Sequence, residues 1–281
     1  MKNVLIPTDF SRNALNAVKY ATKLFQNEEC TFYLLNAYTP SIGHSRFFAE
    51  TMTHSVLVEN EGKTSKQELE KVIAQIQTFS LNPIHYFETI SSFDFLTQKV
   101  IETLQVKDID VIISGTKGAS GYKEVFLGTN TVRMIKSVKN RPIIAVPQIC
   151  SFIKPTKIAF PTDFKHNFSA DVLDPLISLA KNFNSEIHIF HVNETMKKDK
   201  FKESNKHTLI EYMAPIKHLV HFAPQYSSKT NVITNFLEEL DINMLALVYN
   251  NHSYLQQLMR EPVVTNMAYH CKIPLLILPS E

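Results

Sequence analysis

Glycine is scarce in this chain, six residues in 281, and from residue 151 onward there is none. Four of the six stand in one stretch, SGTKGASGYKEVFLGTNT, residues 114–131. A backbone that uses glycine at only two other positions, Gly43 and Gly62, needs it there for a turn or a close approach. Cysteine is sparser still. Cys30, Cys150 and Cys271 stand far apart with no CxxC pair, which speaks against a zinc knuckle and a disulfide framework and predicts a reducing, cytoplasmic home. No apolar run approaches the roughly 18 residues of a membrane-spanning helix. The opening MKNVLIPTDF has neither a long apolar core nor a small-residue cleavage site, so neither export nor a membrane partner is expected. The formal net charge is only +2, which forces no basic face for nucleic acid.

What the chain does contain is a repeat. VLIPTDF at 4–10 returns as IAFPTDF at 158–164, so Pro7 and Asp9 correspond to Pro161 and Asp163. RPIIAVP at 141–147 likewise pairs with IPLLILP at 273–279, two buried-strand patterns fenced by prolines. The length suits two domains of about 140 residues, and the repeat divides them into 1–149 and 155–281. The junction QICSFIKPTK at 148–157 is short and not flexible in composition, which predicts closely packed halves.

Each half reads as five strands alternating with helices. The strands lie near 2–7, 31–36, 84–89, 109–114 and 142–146 in the first half, and near 157–161, 187–192, 218–222, 242–248 and 274–278 in the second. In SRNALNAVKYATKLF, Ala14, Leu15, Val18, Ala21, Leu24 and Phe25 recur at helical spacing behind Ser11, a candidate N-cap. Runs such as VIIS and IIAV have the pattern of strands buried on both faces, so the predicted fold class is α/β, two tandem doubly wound parallel five-stranded sheets. The loop at 38–54 has no equally long counterpart in the second half. KKDKFKESNKH at 197–207 reads as a solvated helix start. The apolar last strands predict that the two halves pair through residues 143–146 and 275–278, and they leave a homodimer of whole chains open.

Ligands of open α/β sheets bind beyond the carboxyl ends of the strands, and the glycine-rich stretch comes after strand four there. Gly115, Gly118 and Gly128 precede TNTVRMIKSV, a helix beginning, so their spacing combines a side-chain-free loop with a helix N-terminus able to hold phosphate. Thr129 and Thr131 add hydroxyls. No Gly-Lys-Ser/Thr closes the loop, and no GxGxxG comes after the first strand, which sets aside the two commoner phosphate motifs.

These residues resemble those of a tandem universal stress protein, two copies of that family's adenine-nucleotide alpha hydrolase-like fold. Nucleotide-binding members carry G-x2-G-x9-G-(S/T), which here falls on Gly115, Gly118, Gly128 and Thr129, and an aspartate after strand one, here in Pro7-Thr8-Asp9. The resemblance implies ATP as the ligand, with magnesium left open. Asp9 and Ala37 would flank adenine and ribose. Ser114 to Gly118, including Lys117, would run along ribose and phosphates, and Gly128, Thr129, Asn130 and Thr131 would cap the phosphates. Ala37 stands where the family more often has valine. The second half departs from the motif: ALVYNNHSYLQQLMREPVVTNMAYH puts Val248, Asn251 and Glu261 about where the glycines would be. One nucleotide site per chain is expected, with Asp163 left as a helix-capping aspartate.

Eight of the eleven histidines lie after residue 150. His188 and His191 are three apart on one strand, as are His218 and His221, so each pair points to opposite faces, against a metal site. No Ser-His-Asp set or G-x-S-x-G elbow is present. The reading is therefore an ATP-binding regulatory module rather than an enzyme. Two alternatives stand beside it. An adenylating or ATP-pyrophosphatase enzyme would need a Ser/Gly-rich loop directly after strand one, where this chain has PTDFSRN, and an adenine-nucleotide hydrolase would need a positioned water and a metal, toward which the glycine loop offers only Glu124. An interaction protein would carry two vestigial sites.

Overall fold

The structure, a computed structural model, describes residues 1–39, 54–116, 127–193, 200–224, 229–249 and 273–279. The chain divides into two compact units, Met1–Arg141 with Ala145–Phe152, and Pro142–Ile144 with Ile153–Glu281. The first half runs β1 (Lys2–Pro7), α1 (Arg12–Leu24), β2 (Cys30–Tyr38), α2 (His54–Phe79), β3 (His85–Phe93), α3 (Leu96–Val106), β4 (Val111–Gly115), α4 (Thr129–Ser137) and β5 (Ile143–Val146). The second runs β6 (Lys157–Pro161), α5 (Ala170–Phe183), β7 (Glu186–Asn193), α6 (Lys200–Met213), β8 (Lys217–Pro224), α7 (Lys229–Glu239), β9 (Met244–Val248) and β10 (Leu275–Leu278). Each strand expected from the sequence occurs. β2 and β3 outrun their apolar cores because parallel pairing continues through Ala37 with Ser92 and Tyr38 with Phe93.

Strand order is β3-β2-β1-β4-β5 in the first half and β10-β9-β6-β7-β8 in the second. β1 lies parallel to β2 and β4, and β2 to β3. β6 lies parallel to β7 and β9, β7 to β8, and β9 to β10. Chain direction across the sheet therefore reverses beside β1, between β2 and β4, and a crevice opens there beyond the carboxyl ends. Val4, Leu5 and Ile6 of β1 are fully buried, as is Ile112 of β4. Against them α1 packs Ala14, Ala17, Val18 and Ala21, small residues that let a helix lie close to a sheet. Ser11 caps this helix, its Oγ accepting the Ala14 N–H at 3.2 Å. Among the described residues no helix is long and apolar enough to cross a membrane.

Alternation along β7 does separate His188 from His191, but the neighbouring strand supplies each with a partner. His188 Nδ1 stands 3.1 Å from His221 Nε2 on β8, the rings near parallel with centroids 5.2 Å apart. Phe236 of α7 sits edge-on to both. On the other face, His191 meets Phe164 and Phe222. Glu186 Oε1 lies 3.4 Å from His188 Nε2. Among the described residues no group of three or more histidine, cysteine or acidic side chains is arranged to hold a metal.

Burial pushes both imidazoles of the pair below the ordinary histidine range, with the Glu186 carboxylate partly opposing it. For His188, the charges of His221 and Lys157 push in the same direction as burial. Two neutral rings share one hydrogen bond, whereas two charged rings would turn N–H against N–H. Because the folded-state pKa values are depressed, their contribution to stability is present above the unfolded histidine pKa of about 6.5 and is lost as pH falls through the folded values. Urea unfolding measured between pH 7.5 and pH 5 should therefore show a midpoint that drops on acidification. The drop should be smaller in a chain carrying His188→Phe and His221→Phe; an equal drop would place the sensitivity elsewhere.

Candidate functional site

The end of β1 is a turn built by its own side chains. Thr8 N–H continues the parallel pairing to Leu35 O at 2.8 Å. Phe10 then takes a left-handed backbone (φ 64°), its N–H donating to Thr8 Oγ1 at 3.1 Å. Asp9 Oδ1 accepts the Ser11 N–H at 3.1 Å, an Asx turn that leads into α1. Asp9 is exposed, so its carboxylate faces solvent and crevice together. Beneath it Thr8 is buried, with its carbonyl accepting the Asn36 side-chain amide at 2.8 Å.

Opposite this turn β4 ends at Gly115. A Cβ built there would overlap Asn13 Nδ2 and stand 2.8 Å from Asn13 Cγ and 3.1 Å from Asn13 O. Glycine is thus required for the first turn of α1 to close over the end of β4. Spacing by itself assigns that need to a ligand, because it cannot show a helix from the other end of the domain pressing on the same atom. The Gly115 carbonyl accepts the hydroxyls of Ser114 at 3.2 Å and Thr131 at 2.9 Å. Thr131, expected to offer its hydroxyl to phosphate, is 3 % exposed and gives that hydroxyl to Gly115 instead.

The helix α4 begins behind Gly128, which occupies the N-cap in extended backbone (φ −61°, ψ 153°) and supplies no side-chain cap. Its own N–H is taken by Thr116 O, and Val132 N–H returns to Gly128 O at 3.0 Å. With no capping side chain, the N–H groups of Thr129, Asn130 and Thr131 open the helix at its positive dipole end.

Pro7, Thr8, Asp9 and Ala37 line one wall of a crevice, and Ser114, Gly115, Gly128, Thr129, Asn130 and Thr131 line the other. Four separate segments thus meet at the switch point. Lys117 and Gly118 lie outside the described residues, as do Glu124 and the greater part of the 38–54 loop. Ala14 and Leu96 also line the crevice; no motif marks them, and as members of helical faces they read as core. Asn36 bonds to Thr8 O, Ser65 to Asn36, and Asn13 lies against Gly115; of these only Asn36 leaves a trace in the sequence, a lone amide in the buried run CTFYLLNAY.

The second half repeats the turn and changes what surrounds it. Phe164 has φ 55°, its N–H donates to Thr162 Oγ1 at 3.1 Å, and Asp163 Oδ1 accepts the Lys165 N–H at 3.0 Å. Asp163 is therefore a turn residue, and Asp9 makes the identical turn. Val4 pairs with Val111 and Ile158 with Met244, which sets Val248 at the position of Gly115. Val248 carries the side chain that Gly115 cannot, and α5 starts at Ala170 behind Ser169, one turn later relative to its strand than α1 does. Asn251 and Glu261 lie outside the described residues.

The sequence model of the universal stress protein family matches residues 1–147. A universal stress protein of Methanocaldococcus jannaschii is 26 % identical over 152 residues, covering 52 % of this chain and 81 % of that protein. The crystal structure of a universal stress protein from Archaeoglobus fulgidus superposes with a TM-score of 0.66 at 15 % identity, over 99 % of this chain and 98 % of the other. At that identity the superposition speaks for the fold.

Gly115→Ala tests the close approach. The methyl group should cost about 1–3 kcal/mol, as overpacked sites do, measured by chemical denaturation. In an Asn13→Ala background the cost should fall well below that, because Nδ2 and Cγ are gone and only the backbone oxygen at 3.1 Å remains. Equal costs in both backgrounds would remove Asn13 as the reason for the glycine.

Proposed function

The chain belongs to the universal stress protein family, and we propose that it is an ATP-binding regulatory module of two tandem copies, with its one nucleotide site in the first-half crevice. The observation that carries this reading is the convergence of ten motif residues, from Pro7 to Thr131, on one crevice at the strand-order reversal.

The chemistry of the lining orients the ligand. Phosphates suit the start of α4, where Gly128 offers no side chain and the first N–H groups have no cap. Asp9 repels phosphate, so it serves the uncharged end, accepting hydrogen bonds from hydroxyl or amino groups. Ala14, Ala37 and Leu96 give that end an apolar bed. Among the described lining residues Asp9 is the one carboxylate, too few to hold magnesium without help from phosphate oxygens and water. Val248 at the Gly115 position supports a second half without nucleotide.

Calorimetric titration of ATP into protein stripped of nucleotide should saturate near one per chain; two equivalent sites would refute the assignment to the first half. Gly128→Glu should leave the fold intact, because a φ of −61° suits any residue. Its side chain and charge at the phosphate approach should weaken ATP by roughly 30- to 1000-fold, equivalent to about 2–4 kcal/mol. Undiminished affinity with an unchanged circular dichroism spectrum would move the phosphates elsewhere.

A further inference from the structure

The turn that presents Asp9 is anchored to the sheet at Thr8, and the anchor has a direction. The Thr8 carbonyl can only accept, so Asn36 must face it with its NH2 group, at 2.8 Å. The Asn36 oxygen then faces Ser65 of α2, whose hydroxyl must donate to it, also at 2.8 Å. The Ser65 oxygen in turn accepts the Ser91 hydroxyl of β3 at 2.8 Å. Thr8, Asn36 and Ser65 are 7 %, 7 % and 3 % exposed. One carbonyl thereby determines the orientation of three side chains drawn from β2, α2 and β3.

The second half solves the same problem without this chain. His191, the register equivalent of Asn36, donates Nδ1–H to Thr162 O at 2.8 Å. Phe222 pairs with His191 where Ser91 pairs with Asn36. Asn205 donates to Phe164 O at 2.9 Å. The hydroxyl–amide chain belongs to the half in which the crevice carries the glycine motif.

We propose that Asn36, oriented by Ser65 and Ser91, is the positioning residue of the first-half crevice: it pins the Thr8 carbonyl and so holds the Asp9 carboxylate toward the uncharged end of the nucleotide. This rests on the nucleotide site proposed for that crevice. The Asp9 carboxylate bonds to Ser11 within the turn, so its placement depends on where the turn sits. Removal of the Asn36 amide leaves a buried carbonyl unpaired, and the turn must move to satisfy it. Such a movement carries Asp9 away from the ligand without touching the start of α4.

The test is a double-mutant cycle on ATP affinity, with Asn36→Leu, Asp9→Ala and their combination, each checked for folding by circular dichroism. Asn36→Leu should weaken ATP by about tenfold. In the Asp9→Ala background the same substitution should change affinity by less than about twofold, because its effect runs through a carboxylate that is no longer there. A merely structural role would give losses that multiply, and that result overturns the inference, as does parental affinity in Asn36→Leu. Should Asn36→Leu fail to fold, Ser65→Ala enters the same cycle, with a smaller loss that again vanishes in the Asp9→Ala background. Absence of ATP binding by the parent chain overturns the nucleotide site itself and is seen before any variant is made.

Discussion

The missing Cβ at Gly115 is the constraint on which the first half is built. It lets Asn13 settle over the end of β4, so that α1 starts directly after the Asp9 turn and brings Ala14 to the crevice wall. The same residue's carbonyl gathers the hydroxyls of Ser114 and Thr131, tying the end of β4 to the first turn of α4. Two helices that begin on either side of the crevice are thus fixed through one backbone unit. The nucleotide cradle proposed for this crevice would need such fixation, since backbone N–H groups are aimed only by the placement of the helix they belong to.

In the second half that constraint is lifted. Val248 restores a side chain at the end of the fourth strand, and the helix after the first strand begins one turn later. The Thr-Asp-Phe turn survives unchanged, down to the left-handed phenylalanine and the aspartate-bound N–H. Its persistence in both halves marks it as a folding element. An aspartate in it can serve a ligand only as a second task, and only where the surroundings leave it access. In place of the hydroxyl–amide chain, the second half has an imidazole donor and aromatic packing, with Phe164, Phe222 and His191 on one face of β7 and the His188–His221 pair on the other.

Much of this architecture is legible in the chain itself. The duplicated VLIPTDF and IAFPTDF, the alternation of apolar runs with helical faces, and the Ser11 cap are local features. Strands, helices and turns respond to local periodicity and capping chemistry, so they appear where the residues say. The glycine spacing likewise marks one wall of the crevice and the repeated Pro-Thr-Asp the other, although the residues between Gly115 and Gly128 largely lie outside the described structure. Sequence alone does not say what the glycines meet. Gly115 avoids Asn13, a residue brought to it by a helix from far earlier in the chain; Thr131 turns its hydroxyl inward; His188 finds His221 through the diagonal of a parallel pair; and Asn36 acquires direction from a carbonyl on the neighbouring strand. Each depends on register and on how closely a helix lies to the sheet, quantities fixed by packing of the whole unit, and no local pattern of side chains encodes them.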